Sequence, residues 1–437
     1  MQLLSLQGVL NKLRRYSKYP LISGVVVLLG FLREMTIAAN YGLGAELDIF
    51  AIVLTFYVFF GTQIGNSFES VFISEMAHKK KAAITQMLSA VVVIITTVYV
   101  LLIILGYVYS TSYLELVYPS LSKNQLALAD ELLMVFVVSI IATVLTGVFR
   151  GSLYIKGKFS TGLLGGSFVS FFVILFVFIF SEEMGIISLA YGYMVGSIVF
   201  MLVLFLMVKK DFGFDFKNSL NSIRTSGFIW KALTLIIVGE VLFQLNYTAQ
   251  RSMATGLEEG AVSSLYYSMA IVQVIVTLVV VPLTTVLFPK LKRQFHDNQV
   301  AGFRMLNNYI LYFFIFGVCS SIIIYLLADV IVQLAFVRGE FTIEDAHRTA
   351  SLMSILVFLV PLMSISRLIK YGYYALGNYY APIYGHLITW LVLISIAPYL
   401  IHEFSEQGLG LSIVTSFAVS TILLLVSLLW KSKNARV

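Results

Sequence analysis

Four charged side chains of this sequence lie inside long apolar stretches. They are Arg33, Glu34, Glu69 and Glu240. A charge within a lipid bilayer is costly unless it pairs or faces water, so each of these residues is a candidate functional group. Arginine can hold a phosphate through paired hydrogen bonds, and an intramembrane carboxylate can take part in proton transfer.

Two interpretations are open for Arg33. Because Arg33 and Glu34 are adjacent on a predicted helix, we expect them not to face each other. Glu69, in the next apolar stretch, is then the expected partner. Arg33 either contacts an anionic substrate or forms a structural pair with Glu69, and the residues favour neither interpretation.

A second group of polar residues follows one face of a predicted helix. Glu240, Gln244, Tyr247 and Arg251 recur at positions i, i+4, i+7 and i+11. This spacing aligns the four side chains, as expected for the wall of a polar cavity. The alternative is that they form hydrogen bonds between helices.

The composition identifies the medium in which these helices lie. Of 437 residues, 59% are hydrophobic and 12% charged, against about 45–50% and about 25% in soluble domains. This excludes a soluble globule. The single cysteine, Cys319, forms no internal disulfide. No phosphate-binding glycine loop, pair of metal ligands or nucleophile elbow is present, so the sequence predicts no cofactor and no hydrolysis of a nucleotide by this chain.

The apolar stretches predict an all-α integral membrane protein with about twelve transmembrane helices, each needing about 20 mostly apolar residues. The expected spans are 21–42, 48–74, 84–109, 130–149, 160–180, 185–208, 229–251, 262–289, 305–327, 349–370, 380–401 and 408–430.

The charges between the spans alternate along the chain. Basic residues collect in every second connection, such as 79–81 and 290–293, whereas Glu182, Glu183 and Glu403 fall in the others. Basic loops stay in the cytoplasm during insertion, which predicts that both termini are cytoplasmic. The net charge of +7 then reflects contact with anionic lipids rather than nucleic acid.

A repeated turn divides the chain into halves. Tyr154 and Gly157 recur as Tyr374 and Gly377, a spacing of 220 residues. The sequence therefore predicts two parallel six-helix bundles, residues 1–208 and 232–437, joined by a cytoplasmic linker at 209–231, which move by alternating access. The alternative is that this pattern is merely common in interfacial loops.

Three segments resemble motifs of the MurJ/MviN lipid II flippase family. Gly30, Arg33, Gly42 and Asp48 match its opening motif, and 260–267 with 282–289 and 336–346 match two later signatures. The similarity runs in order over nearly the whole chain, so the sequence is identified as a divergent member of this family within the superfamily of multidrug, oligosaccharidyl-lipid and polysaccharide exporters. The resemblance implies a fold like that of MATE and MurJ transporters.

Only Arg33 and Asp48 match positions that are functional in the family. Where the family has further cations, this sequence has Val27, Gly61 and the pair Met269–Ala270. The resemblance implies a flippase for an undecaprenyl-diphosphate-linked saccharide in the bacterial cytoplasmic membrane. The differences favour an exopolysaccharide or O-antigen unit over a peptidoglycan precursor.

The expected roles complete this hypothesis. The candidates for substrate binding are Arg33, Arg251, Gln244 and Tyr247, and those for coupling or gating are Glu34, Asp48, Glu69 and Glu240. Coupling could use protons, sodium ions or the membrane potential. The chain is expected to act as a monomer, with glycan biosynthesis enzymes as possible partners. A cation-coupled multidrug antiporter is the alternative, and a membrane-embedded glycan polymerase or acyltransferase is a weaker one.

Overall fold

The computed structural model describes residues 6–217, 227–378 and 380–434, and these are almost entirely helical. The helices of the first half are α1 Leu6–Tyr41, α2 Ala45–Phe56, α3 Ile64–Met76, α4 Lys81–Val117, α5 Lys123–Ile155, α6 Phe159–Leu163, α7 Gly165–Met184 and α8 Ile187–Asp211. Those of the second half are α9 Gly227–Ala254, α10 Ala261–Ile275, α11 Val281–Asp297, α12 Gln299–Leu326, α13 Ala328–Phe336, α14 Ile343–Leu356, α15 Leu359–Ala375 and α16 Tyr380–Asn434.

The lengths of the apolar helices confirm the predicted fold class, an all-α membrane protein. Within the described residues, ten helical stretches are long and apolar enough to cross a membrane. One of them, α16, changes direction at Ser405 and carries the last two expected spans. The seventh expected span lies in α9, so all twelve overlap helices. The chain is a multi-pass, all-α membrane protein.

The chain groups into two compact units by its internal contacts. Unit 1 comprises Met1–Ile37, Phe56–Ser110 and Asp130–Ile237, and unit 2 comprises Ala38–Thr55, Thr111–Ala129 and Val238–Val437. The expected division at 208 and 232 stays a prediction, and residues 218–226 of the expected linker lie outside the described residues.

The repeated turn has the same backbone structure in both halves. Gly157 and Gly377 have φ of 76° and 72°. The amide of Gly157 donates to the carbonyl of Tyr154 at 2.9 Å, and that of Gly377 donates to Tyr374 at 3.1 Å. The next amide donates five residues back in each case, which makes both turns Schellman motifs. Glycine is required there because φ is positive.

Two π-helical stretches occur at related positions. Tyr57–Gln63 connects α2 to α3, and Val276–Val280 connects α10 to α11. Their starts lie 219 residues apart, close to the spacing of the repeated turn. Such stretches are uncommon overall but are often found at functional sites. Each one rotates the residues that follow it relative to a regular α-helix.

Close helix crossings in unit 1 depend on glycine. Gly147 of α5 lies against the backbone of Gly65 of α3, where a Cβ atom would overlap the Gly65 carbonyl. One turn further, a Cβ on Gly151 would lie 3.2 Å from the carbonyl oxygen of Glu69. The backbones of α3 and α5 therefore approach closely, as small residues permit in membrane helices.

Candidate functional site

Arg33 lies in a cluster of aromatic and hydroxyl side chains in unit 1. Its guanidinium carbon is 5.4 Å from the centre of the Tyr193 ring. That ring packs edge-on against Tyr57, with centroids 5.2 Å apart, and against Phe136 at 5.5 Å. The Tyr57 hydroxyl lies 3.2 Å from the Ser197 hydroxyl. An arginine over a buried tyrosine face is stabilised by a cation–π interaction.

Glu34 is the acidic partner of Arg33, so the expected Arg33–Glu69 pair is wrong. Arg33 Nε donates to Glu34 Oε1 at 3.1 Å, and its Nη2 forms an ion pair with the same oxygen. Adjacent positions point in different directions around a helix, but both side chains are long enough to fold back across the gap. Arg33 remains 20% exposed.

Glu69 pairs with a residue that lies just beyond the fourth expected span. Arg150 Nη2 lies 2.7 Å from Glu69 Oε2, and the same nitrogen donates to Asn66 Oδ1 at 2.6 Å. The glycine crossing of α3 and α5 brings these side chains together. Arg150 directly follows the fourth expected span, 130–149, so the spans did not indicate it as a partner of Glu69.

Asp48 of α2 stabilises the beginning of another helix in unit 2. Its Oδ2 accepts from the Gly260 amide at 2.8 Å, and Oδ1 accepts from the Ser263 amide and hydroxyl, both at 2.7 Å. These amides belong to the first turn of α10, whose N-cap is Gly260 and has no side chain. Asp48 supplies the carboxylate that a capping residue would otherwise provide.

The capping is reciprocal. Glu259 Oε1 accepts from the amide of Ala45, at the start of α2, at 2.9 Å. Asp48, in the first turn of α2, therefore caps α10. Glu259, just before α10, caps α2. The helix dipole favours a negative charge at both places.

The third family motif joins the same place. The Glu340 amide donates to the Ala39 carbonyl at 2.9 Å, and Arg348 Nη1 donates to the Glu259 carbonyl at 2.6 Å. Arg348 Nε also donates to Glu406 at 2.8 Å. Segments 39–48, 258–263 and 336–348 thus form one contact region of unit 2, which we call the three-motif junction.

The polar residues on one face of α9 contact several different parts of unit 2. Gln244 Nε2 donates to the Thr55 carbonyl at 3.3 Å, and Tyr247 is hydrogen-bonded to the Gln273 side chain. Glu240 interacts electrostatically with Lys370 of α15. The structure therefore distributes Glu240, Gln244 and Tyr247 among three different neighbours.

Arg251 lies among aromatic hydroxyl groups at the end of α9. Tyr118, Tyr247 and Tyr266 are its electrostatic neighbours. In the described part of the chain, no carboxylate lies within ion-pair distance of Arg251. The fully buried Tyr118 hydroxyl has no hydrogen-bond partner among the described residues. A guanidinium and a hydroxyl donor therefore lie side by side in this corner of unit 2.

Two basic residues near Glu240 were not recognised as a site from the sequence. Lys370 Nζ lies 3.2 Å from His386 Nε2. Lys370 ends the tenth expected span, 349–370, and His386 lies in the eleventh, 380–401, so the spans alone did not indicate that these side chains meet. Among the described residues, no group of three or more His, Cys, Asp and Glu side chains could hold a metal ion.

The fold matches that of known transporters. A structure described as lipid II flippase MurJ in an inward closed conformation aligns with 95% of this chain and 90% of its own, with a TM-score of 0.82 and 22% identity. An inward-facing MATE-family multidrug transporter of the MOP superfamily aligns with 95% and 99%, with a TM-score of 0.77 and 15% identity. The chain therefore has the fold shared by these proteins.

A sequence comparison identifies the family within that fold. The family model of lipid II flippase MurJ matches residues 37–435, so this chain belongs to the MurJ family of lipid flippases, which are transporters and not enzymes. A probable lipid II flippase MurJ from Bdellovibrio bacteriovorus is 23% identical over 293 residues, which is 63% of this chain. The match spans about half, 54%, of that relative's length.

Proposed function

We propose that this chain moves an undecaprenyl-diphosphate-linked saccharide from the inner to the outer leaflet of the bacterial cytoplasmic membrane by alternating access. The observation that carries this proposal is the intramembrane guanidinium of Arg33, held over Tyr193 in a member of a lipid flippase family. In this proposal the chain acts as a monomer, both termini are cytoplasmic, and glycan biosynthesis enzymes supply the substrate.

Arg33 binds the diphosphate in this proposal. A guanidinium has five N–H donors, and Glu34 occupies the Nε and one Nη donor at one edge. The phosphate binds the guanidinium through charge-assisted hydrogen bonds, while Glu34 and the Tyr193 ring fix the orientation of the group. Glu34 acts as a gate because its carboxylate and the phosphate compete for the same cation.

The second substrate contact is in unit 2. Arg251 carries a charge without an acidic partner among the described residues, and Tyr118 offers a buried hydroxyl beside it. Gln244 and Tyr247 lie on the same helix as Arg251, and their polar side chains bind the saccharide in this proposal. In this proposal Asp48, Glu69 and Glu240 are candidates for coupling or gating, with Asp48 and Glu69 acting through the contacts that they already make.

The packing around Gly61 favours a saccharide other than the peptidoglycan precursor lipid II. A Cβ atom at Gly61 would lie 3.3 Å from Thr143 and 3.5 Å from the Ile140 backbone. The arginine that the MurJ resemblance implies at this position would crowd Thr143 of α5, and this chain has no cation there. An exopolysaccharide or O-antigen unit is therefore the first candidate, and lipid II, the substrate named for the family, is the second.

Reconstitution tests the proposal. Purified protein in liposomes is given fluorescent lipid II, or a fluorescent undecaprenyl-diphosphate glycan that is not a peptidoglycan precursor, and transfer between leaflets is measured. We expect Arg33→Gln to reduce transfer at least about tenfold, because a hydrogen bond to a charged group contributes about 1.5–3 kcal/mol. Arg33→Lys keeps the charge without the planar fork and should retain part of the activity.

Arg293→Gln is the matched control, because the Arg293 side chain is 86% exposed. It should transfer substrate like the unmodified protein. Full activity of a folded Arg33→Gln protein would contradict the role of Arg33. Transfer of neither glycan, together with export of organic cations, would favour the multidrug antiporter.

A further inference from the structure

Lys370 and His386 form a side-chain contact within the membrane-spanning part of unit 2. Lys370 Nζ of α15 lies 3.2 Å from His386 Nε2 of α16. Neither partner carries a formal negative charge, so this contact is not an ion pair. Two basic groups in contact at this depth require a physical reason.

One aromatic ring contacts the His386 side chain, and two hydrogen bonds hold the backbone around it. The Phe243 ring meets it edge-on, with centroids 5.2 Å apart. Asn246 Nδ2 donates to the His386 carbonyl at 3.2 Å, and Ser420 Oγ donates to the preceding carbonyl of Gly385 at 2.7 Å. Because α9 and the second part of α16 hold the backbone, the contact with Lys370 is not an accident of a free side chain.

The geometry allows one proton between the two nitrogens. A hydrogen bond needs a donor and an acceptor, so one nitrogen must lack the proton. If both were protonated, two positive charges would lie 3.2 Å apart in a medium of low dielectric constant. Lys370 as the ammonium donor and His386 as a neutral acceptor, protonated on Nδ1, satisfy the contact.

The charges that face this pair come from two elements. Glu240 of α9 attracts Lys370, and Arg367, on the same helix as Lys370, repels it. The Arg367 guanidinium lies over the Tyr371 ring, 5.6 Å from its centre. Leu291 of α11 and Leu306 of α12 belong to the same hydrophobic core as Leu368 and Ile369 of α15.

We propose that Lys370, His386 and Glu240 form a proton-exchange site that couples this chain's transport cycle to protons. While Lys370 carries the shared proton, its positive charge balances the negative charge of Glu240. For release, Lys370 gives a proton to His386 Nε2 while His386 loses its Nδ1 proton to water. One proton leaves, both basic groups are neutral, and Glu240 carries an unbalanced negative charge.

This change of charge gives the coupling its physical basis. An unbalanced carboxylate within the membrane favours a conformation that exposes it to water, whereas the neutral form favours burial. The proposal rests on the proposed transport function and selects the proton as the coupling ion. It adds Lys370 and His386 to the functional residues.

Nuclear magnetic resonance of protein labelled with 15N-histidine tests the site without transport. We expect the His386 signal, assigned with His386→Gln, to show a neutral ring with the proton on Nδ1 at pH 7. Lys370→Met should change its tautomer ratio, whereas Lys431→Met, near Tyr373 in the same unit, should not. A doubly protonated His386, or a signal unchanged by Lys370→Met, would overturn the proposal.

Proton movement tests the coupling. In liposomes that contain a pH-sensitive dye, the internal pH should change as lipid-linked glycan is transferred. An imposed pH gradient should change the transfer rate several-fold. Lys370→Met and His386→Gln should remove both effects, and Lys431→Met should keep them. Transfer by Lys370→Met with an unchanged gradient response would refute the coupling role. Absence of transfer in every protein would contradict the transport function instead, and the histidine spectra would still decide the site.

Discussion

At the scale of single residues, Asp48 shows how a matched family position can act through structure. Its carboxylate accepts three hydrogen bonds from the first turn of α10. Asp48→Ala leaves these donors unsatisfied and removes the charge at the helix start. We expect the free energy of unfolding to fall by about 1–3 kcal/mol, measured by thermal or denaturant unfolding in detergent.

Ser263→Ala is the graded control for Asp48→Ala. It removes one of the three donors and keeps the two amides, so its effect should be smaller. If Asp48→Ala unfolded like the unmodified protein but no longer transported substrate, the capping role would be secondary and the expected coupling role would gain support.

The Glu69–Arg150 pair gives a second prediction at this scale. Both side chains are about one-fifth exposed, at 19% and 22%. Removing one partner leaves the other charge poorly solvated, so Glu69→Gln and Arg150→Gln should each destabilise the protein by about 2 kcal/mol, below the range for fully buried pairs. The double variant should lose less than the sum. Additive losses in unfolding experiments would mean that the pair does not interact.

The sequence could nominate these charges but could not find all their partners. Glu69 was recognised because an acid is rare in an apolar stretch. Its pairing with Arg150 depends on how closely α3 and α5 cross, which is a property of Gly65 and Gly147 in three dimensions. The expected Arg33–Glu69 pair was wrong because two long side chains on adjacent helix positions can still reach each other.

At the scale of elements, the crossing of α3 and α5 predicts a sharp difference between two glycines. Gly147→Ala places a Cβ atom against the Gly65 backbone and must push the helices apart. We expect a loss of about 1–3 kcal/mol, typical of overpacking, and a weaker Glu69–Arg150 pair in a double-mutant cycle. Gly106→Ala meets nothing within 4 Å and should be neutral or slightly stabilising. Equal stabilities for the two variants would refute the close crossing.

The two halves also differ at one strained residue. Ser405 in α16 has φ of 50° and ψ of −126°, and Gly185, which lies 220 residues earlier, has φ of 53° and ψ of −141°. A side chain in this region costs about 1–3 kcal/mol. Ser405→Gly should therefore raise the unfolding free energy by about 1 kcal/mol, after the entropy of glycine is subtracted.

Gly185→Ser is the reciprocal control and should destabilise the protein by a similar amount, measured under the same unfolding conditions. Destabilisation by both substitutions would contradict the strain at Ser405. The repeat was recognisable at Gly157 and Gly377, where glycine is kept in both halves. It was not recognisable at position 405, because serine replaces the residue that the backbone conformation favours.

At the scale of the whole molecule, the family resemblance and the substrate question concern different residues. The three matched segments meet in the three-motif junction, whose hydrogen bonds cap α2 and α10. The three segments were recognisable from the sequence because the three-motif junction requires glycines and carboxylates at fixed positions. The positions that differ, such as Gly61, lie elsewhere, so the sequence could predict the fold while leaving the saccharide open.

The direction of transport depends on the orientation of the chain in the membrane, which the charges predict. His296 lies beside the basic segment 290–293, and His402 lies beside Glu403. Both side chains are accessible, at 90% and 83% exposed. With Cys319→Ser as background, a membrane-impermeant thiol reagent should label His402→Cys in intact bacterial cells whose outer membrane admits it. His296→Cys should react only after the cytoplasmic membrane is permeabilised, because basic loops are retained inside. The opposite labelling pattern would invert the topology, and outward movement of the glycan would then have to start from the other face of the protein.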